Sequence, residues 1–254
     1  MTVDPGPLLF ARYAYPPNAL GLCGADTPQT LLQYGDARES DGGLAELART
    51  FEGAWPYLTL IADANRIDDP LDARVVDAYW VGNELLEQVR PGDLVRHLDD
   101  RFGRRLGRAR ETVAAAVAAG AVPHHCFHVF AVYPWLGLLR TGVVDEPLRI
   151  LDQCRTTPAT VVAVDGDSIE ALARPLLWRD GALGLGPLTL RTVRWRDGGL
   201  GFVPLVRPGD LVSLHWDFVC DVLSPPAAGR LEQVTRRALA SVNAAGAAGR
   251  QEGS

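Results

Sequence analysis

The chain contains no lysine, so all 25 of its basic residues are arginine. That absence removes Schiff-base chemistry, a catalytic amine and the lysine-bearing phosphate loop. Positive charge is also in short supply: 25 basic residues face 31 acidic ones, for a formal charge of −6. A broad electrostatic footprint for DNA or RNA is therefore missing. The opening MTVDPGPLLFARYAYPPNALG has no basic segment followed by an apolar run, and the expectation is a cytoplasmic protein without a signal peptide. Long hydrophobic runs are lacking too. The most apolar stretch, 113–139, is broken by Pro123, His124, His125, His128 and Pro134, so no membrane span is expected. Four cysteines, Cys23, Cys126, Cys154 and Cys220, are too few and too scattered for a disulfide scaffold. They remain available as thiols or metal ligands. The signatures of dinucleotide enzymes, serine hydrolases, zincins and zinc fingers are absent as well.

What is present is apolar material sufficient for a large core, 47% of 254 residues. From about Asp26 to Leu139 the pattern is helical. Leu44, Leu47, Phe51, Trp55, Leu58 and Ile61 recur at three- and four-residue spacing, with Pro56 positioned to kink or divide the segment. Pro16 to Gly24 reads as non-helical. After Pro147 the texture changes to β-branched runs separated by turn signals: 160–164, 169–177, 188–195, 200–206 and 211–219. Leu231, Val234, Leu239 and Val242 mark a final amphipathic helix. The expected class is α+β, an N-terminal all-α helical domain (1–147) followed by a small OB-like β-barrel with a C-terminal helix (148–245). A disordered tail is expected over 246–254.

The β half opens with Cys154-Arg155-Thr156-Thr157-Pro158, runs through a hydrophobic strand into Asp165-Gly166-Asp167, and closes with Gly209-Asp210-Leu211-Val212-Ser213-Leu214-His215-Trp216. In this order and spacing it resembles the HypC/HupF family of [NiFe]-hydrogenase maturation chaperones. The resemblance covers roughly 154–242. It implies an OB-like barrel, a metal site at Cys154 and His215, and an iron cargo bearing carbon monoxide and cyanide. It also implies a partner that is a hydrogenase large subunit or a HypD-like maturation scaffold, with Pro158 and Asp167 of the motif in supporting positions. One departure is that the family's cysteine becomes the N-terminal residue, whereas Cys154 lies behind a helical domain. Independently of any family, a thiolate with an imidazole is a soft-to-borderline donor pair that leaves coordination positions open.

Other candidates surround this pair. His124, His125, Cys126 and His128 form the densest cluster of ligand-type residues, and on a helix His124 and His128 would share one face. Cys23 sits in a glycine-flanked loop. Asp217, by strand alternation, would face the same way as His215 and orient its ring. Two rival readings stay open: a metal-dependent enzyme built on His124, His128 and Cys23 that makes or modifies a ligand for the iron centre, and a metal-free OB-type protein-binding module.

Overall fold

Proline and glycine punctuation divides the first half into short helices, seen in a computed structural model that describes residues 4–251. They are α1 (Gly6–Ala19), α2 (Pro28–Ala37), α3 (Gly42–Arg49), α4 (Trp55–Asn65), α5 (Ala73–Trp80), α6 (Pro91–Leu106) and α7 (Arg110–Ala118). Asp41 caps α3 by accepting a hydrogen bond from the Leu44 amide, satisfying one of the orphan donors of the first turn. Pro56 falls in the first turn of α4, where a missing amide costs nothing, so the long periodic segment is split as its sequence implies. A short turn α8 (His125–Phe127) continues as a π-type turn over His128–Val132, followed by α9 (Trp135–Arg140) and α10 (Asp145–Cys154).

The β half contains β1 (Thr157–Asp165), β2 (Ser168–Ala173), β3 (Leu176–Arg179), β4 (Ala182–Leu185), β5 (Thr189–Arg194), β6 (Leu211–His215) and β7 (Phe218–Leu223), then α11 (Pro225–Gln251). The class is α+β. Five strands close on themselves in the order β1-β2-β5-β7-β6, with β6 returning to β1 and a single parallel step between β5 and β7. Ala159, Val161, Ile169, Ala171, Val193, Val212 and Val219 fill the interior. The β3–β4 hairpin stands apart and is held to α11 by Asn243, whose side chain bonds the Leu183 amide and carbonyl.

Several elements differ from the sequence reading. The segment Gly6–Ala19 is helical through Pro16 and Pro17, because prolines in the last turn forfeit only two hydrogen bonds, and the Tyr13 carbonyl that Pro17 leaves free accepts from His215 Nδ1 instead. Residues 200–206 form no strand; Phe202, Val203 and Val206 are buried from an irregular loop. Phe202 packs so closely on Gly35 of α2 that a β-carbon there would lie 2.2 Å from the ring. The run 211–219 is two strands, divided by the turn at Trp216 and Asp217. The helix expected near Leu231–Val242 continues through Gln251, into the segment read as a disordered tail; residues 252–254 of that tail lie outside the described residues.

The boundary drawn at 147/148 falls inside α10. One hydrophobic cluster crosses it, joining Phe10, Tyr13, Trp80 and Phe127 from the helices to Cys154, Phe218, Cys220 and the inner face of α11. The site lies in this shared core.

Candidate metal centre

Three elements deliver three donor groups to one point. Cys154 ends α10, His215 ends β6, and His125 begins α8. All three are buried, and their ligand-type atoms lie within 4.8 Å of one another. A thiol and two imidazoles converging without competing carboxylates suit a borderline or soft transition metal rather than a hard oxygen-seeking cation.

The orientation of His215 follows from a proline. Pro17 has no N–H to return to the carbonyl of Tyr13 four residues earlier in α1. That carbonyl instead accepts a 2.6 Å hydrogen bond from His215 Nδ1. With Nδ1 carrying the proton, Nε2 presents a bare lone pair, and it is buried with no hydrogen-bond partner. A carbonyl behind one ring nitrogen and an unsatisfied lone pair on the other is the arrangement of a metal-ligating histidine. Burial lowers the His215 pKa to about 4, offset only in part by the Tyr13 carbonyl on Nδ1 and by the nearby Cys154 carbonyl, which His125 occupies, so the ring is neutral and ready to ligate.

His125 donates from Nε2 to the Cys154 carbonyl at 2.7 Å, which leaves Nδ1 as the acceptor, 3.3 Å from the Tyr79 hydroxyl. Burial, and then the neighbouring His215, push its pKa well below the ordinary value. The Trp80 ring packs on both imidazoles, 4.5 Å from His125 and 5.5 Å from His215 between centroids, and stacks on Tyr13 at 5.3 Å. Thr156 ties this tryptophan to β1 by donating to the Trp80 carbonyl. The Cys154 thiol is pushed far up by burial, then by Cys23 and Cys126, so it holds its proton until a cation displaces it.

The triad opens on a cavity of about 230 Å³ walled by Phe51, Tyr79, Trp80, Tyr133, Trp135 and Trp216. Trp216 sits at φ 52°, a left-handed conformation that costs a bulky residue on the order of 1–3 kcal/mol, and its amide donates to the Gln153 carbonyl at 2.6 Å. The hairpin thus holds its strained tryptophan over Cys154.

Of the residues singled out from sequence, Cys154 and His215 come together and His125 joins them. His124 does not: it is the N-cap of α8 in extended conformation, its Nδ1 accepting from the Cys126 amide, so the shared helical face with His128 does not form. His128 faces the same cavity but bonds the Tyr57 hydroxyl at 3.0 Å. Cys23 lines the cavity outside the three-donor cluster, its thiol pushed up to about 12 by burial. Asp217 does not orient His215. The turn begins directly after the histidine, which breaks the strand alternation, and Asp217 is exposed, accepting from Gln153 and pairing with Arg191. Pro158 pairs with Ser213 in the β1–β6 ladder and lines a separate cavity; Asp167 accepts from the Gly199 amide at a barrel hairpin. Neither touches the triad. Tyr13, Pro17 and Trp80 are the residues that sequence reasoning missed. Trp80 reads only as a packing aromatic of the helical half, Tyr13 precedes the segment read as helical, and Pro17 falls in a stretch read as non-helical.

Among known proteins, residues 2–249 match DUF6390, a family of unknown function. No curated protein and no solved structure matches the chain.

Proposed function

The chain belongs to the DUF6390 family, and we propose that it is a metal-handling protein whose cargo is held by His125, Cys154 and His215. The observation that carries this reading is the convergence of three buried soft and borderline donors, one of them a neutral imidazole whose lone pair has no other partner. Three protein ligands leave coordination positions facing the cavity, as a site that receives and surrenders its ion requires.

Within that reading, the resemblance of residues 154–242 to the HypC/HupF family favours an iron centre bearing carbon monoxide and cyanide. The partner is then a hydrogenase large subunit or a HypD-like scaffold. Numbered in chain order within the barrel, the strands run 1-2-3-5-4 with the third and fifth parallel, which supports an OB-like architecture for that half. The aromatic walls leave room for small diatomic ligands on the ion.

The test is infrared spectroscopy with metal analysis on protein purified without oxygen from a host expressing hydrogenase maturation machinery. Iron with cyanide and carbon monoxide stretches, lost in Cys154→Ala and His215→Ala, is the expected result. A wild-type protein carrying iron but neither band rejects the cargo and keeps the metal site. One that binds no transition metal rejects both.

A further inference from the structure

Cys23 belongs to the segment 20–26 between α1 and α2, and it faces the cavity that the triad lines. The segment is built as a hinged flap. The Asn18 side chain, itself buried, clasps it by donating to the carbonyls of Cys23 and Ala25 at 2.8 and 2.5 Å. Gly21 and Gly24 take positive φ at either side of the cysteine, 69° and 78°. A β-carbon at Gly24 would lie 2.5 Å from the Phe51 ring, so the flap already rests against the cavity wall. Leu20 and Leu22 are left 54% and 57% exposed at its tip. Such side chains gain from any movement that carries the flap further inward.

The cavity supplies the reason for that movement. His215 lines the same space with its Nε2 buried and unpartnered, and among the described residues the cluster it belongs to offers an ion three protein donors. Among the described residues Cys23 is the other thiol lining this cavity; Cys126 and Cys220 are buried elsewhere, hydrogen-bonded to Thr156 and to the Phe218 carbonyl.

We infer that Cys23 is a fourth ligand, brought in when the segment 20–26 folds onto an ion held by His125, Cys154 and His215, closing a centre of two thiolates and two imidazoles. The inference rests on the metal-handling reading and extends it: the flap latches the ion, and its opening restores the position through which a partner takes it. Each thiol that ligates gives up one proton, whereas neutral imidazoles release none.

Cobalt(II) alone is the probe, added anaerobically to the full chain at neutral pH. The wild type is expected to show thiolate-to-cobalt charge transfer with tetrahedral visible bands and to release about two protons per ion. Cys23→Ser is expected to lose about half of the charge-transfer intensity, to release about one proton, and to bind at least roughly tenfold more weakly. Its metal-free thermal unfolding should match the wild type. A second readout uses the unaltered chain: Cys23 alkylation by iodoacetamide should be blocked by cobalt. Cobalt bound with an unchanged spectrum in Cys23→Ser, or Cys23 equally reactive with and without the ion, overturns the inference and leaves the three-donor site standing. A wild type that binds no cobalt overturns the underlying reading.

Discussion

Replacing Pro17 by alanine should make the protein more stable and a poorer metal binder at the same time. The substitution returns an N–H to the last turn of α1, aimed at the Tyr13 carbonyl that now accepts from His215 Nδ1 at 2.6 Å. Pro17 lies in the last turn and the Tyr13 carbonyl already has a donor, so the restored N–H should raise metal-free stability by only about 0.5–1.5 kcal/mol, less the small entropic advantage proline confers by restricting the unfolded chain. The carbonyl has a second lone pair, so the histidine is weakened rather than released. A buried hydrogen bond has a net worth of about 0.5–1.5 kcal/mol, which bounds the expected loss of metal affinity at roughly 2- to 12-fold. Urea unfolding of the metal-free protein and cobalt titration read the two effects. Nitrogen NMR of the His215 ring should show the Nδ1–H tautomer dominant in the wild type and eroded in the variant. A stabilised variant with unchanged affinity and tautomer would refute the role assigned to Pro17.

Three further outcomes follow from the same contacts. His124 and His215 are held neutral by burial, with pKa values lowered to about 3 and 4, and burial also holds His125 well below the ordinary histidine value. Since their folded pKa values are depressed, stability is fully present above about pH 6.5 and is lost as pH falls toward 4. The slope of metal-free stability there should reach about 1.4 kcal/mol per unit for each histidine, partly offset by Asp77 and Asp221, whose burial raises their pKa values. Urea unfolding at a series of pH values checks it, and a flat profile contradicts it. Asp217→Asn should leave stability within about 0.5 kcal/mol and cobalt affinity unchanged, because the carboxylate is exposed and bonded to Gln153. A tenfold drop in affinity would restore the orienting role. Asp152→Ala should cost about 3–5 kcal/mol in urea unfolding, since it strands the buried Arg155 guanidinium and leaves the Leu176 amide unpaired. A loss below about 1 kcal/mol would show that the Arg174 carbonyl suffices for that arginine.

The pairing of Cys154 with His215 was legible in the sequence because both residues sit at the ends of a recognisable motif, and chain order alone carries that information. His125 was legible only as one of three neighbouring histidines. Choosing among them needed the backbone at His124, which is extended and turns that ring away to cap the helix. The misplaced role of Asp217 has a local cause: a turn built on tryptophan and aspartate lacks the glycine or asparagine that announces a hairpin, so one strand was read where there are two. Pro17 illustrates the opposite limit. Its local effect, a missing N–H, is written in the sequence, but the group that exploits it is nearly two hundred residues away on β6. The merging of the two halves into one core was equally hidden, because periodicity reports which face of a helix is buried and not what buries it.

The central claim, that one ion is held by sulfur and nitrogen from Cys154, His125 and His215, is tested most directly by X-ray absorption on the metal-loaded chain, using zinc or cobalt alone. The account predicts a low-coordinate shell with sulfur at about 2.3 Å and imidazole nitrogen at about 2.0–2.1 Å, the sulfur contribution falling in Cys154→Ala and the imidazole signal in His215→Ala. A shell of oxygen alone, indifferent to both substitutions, would contradict it.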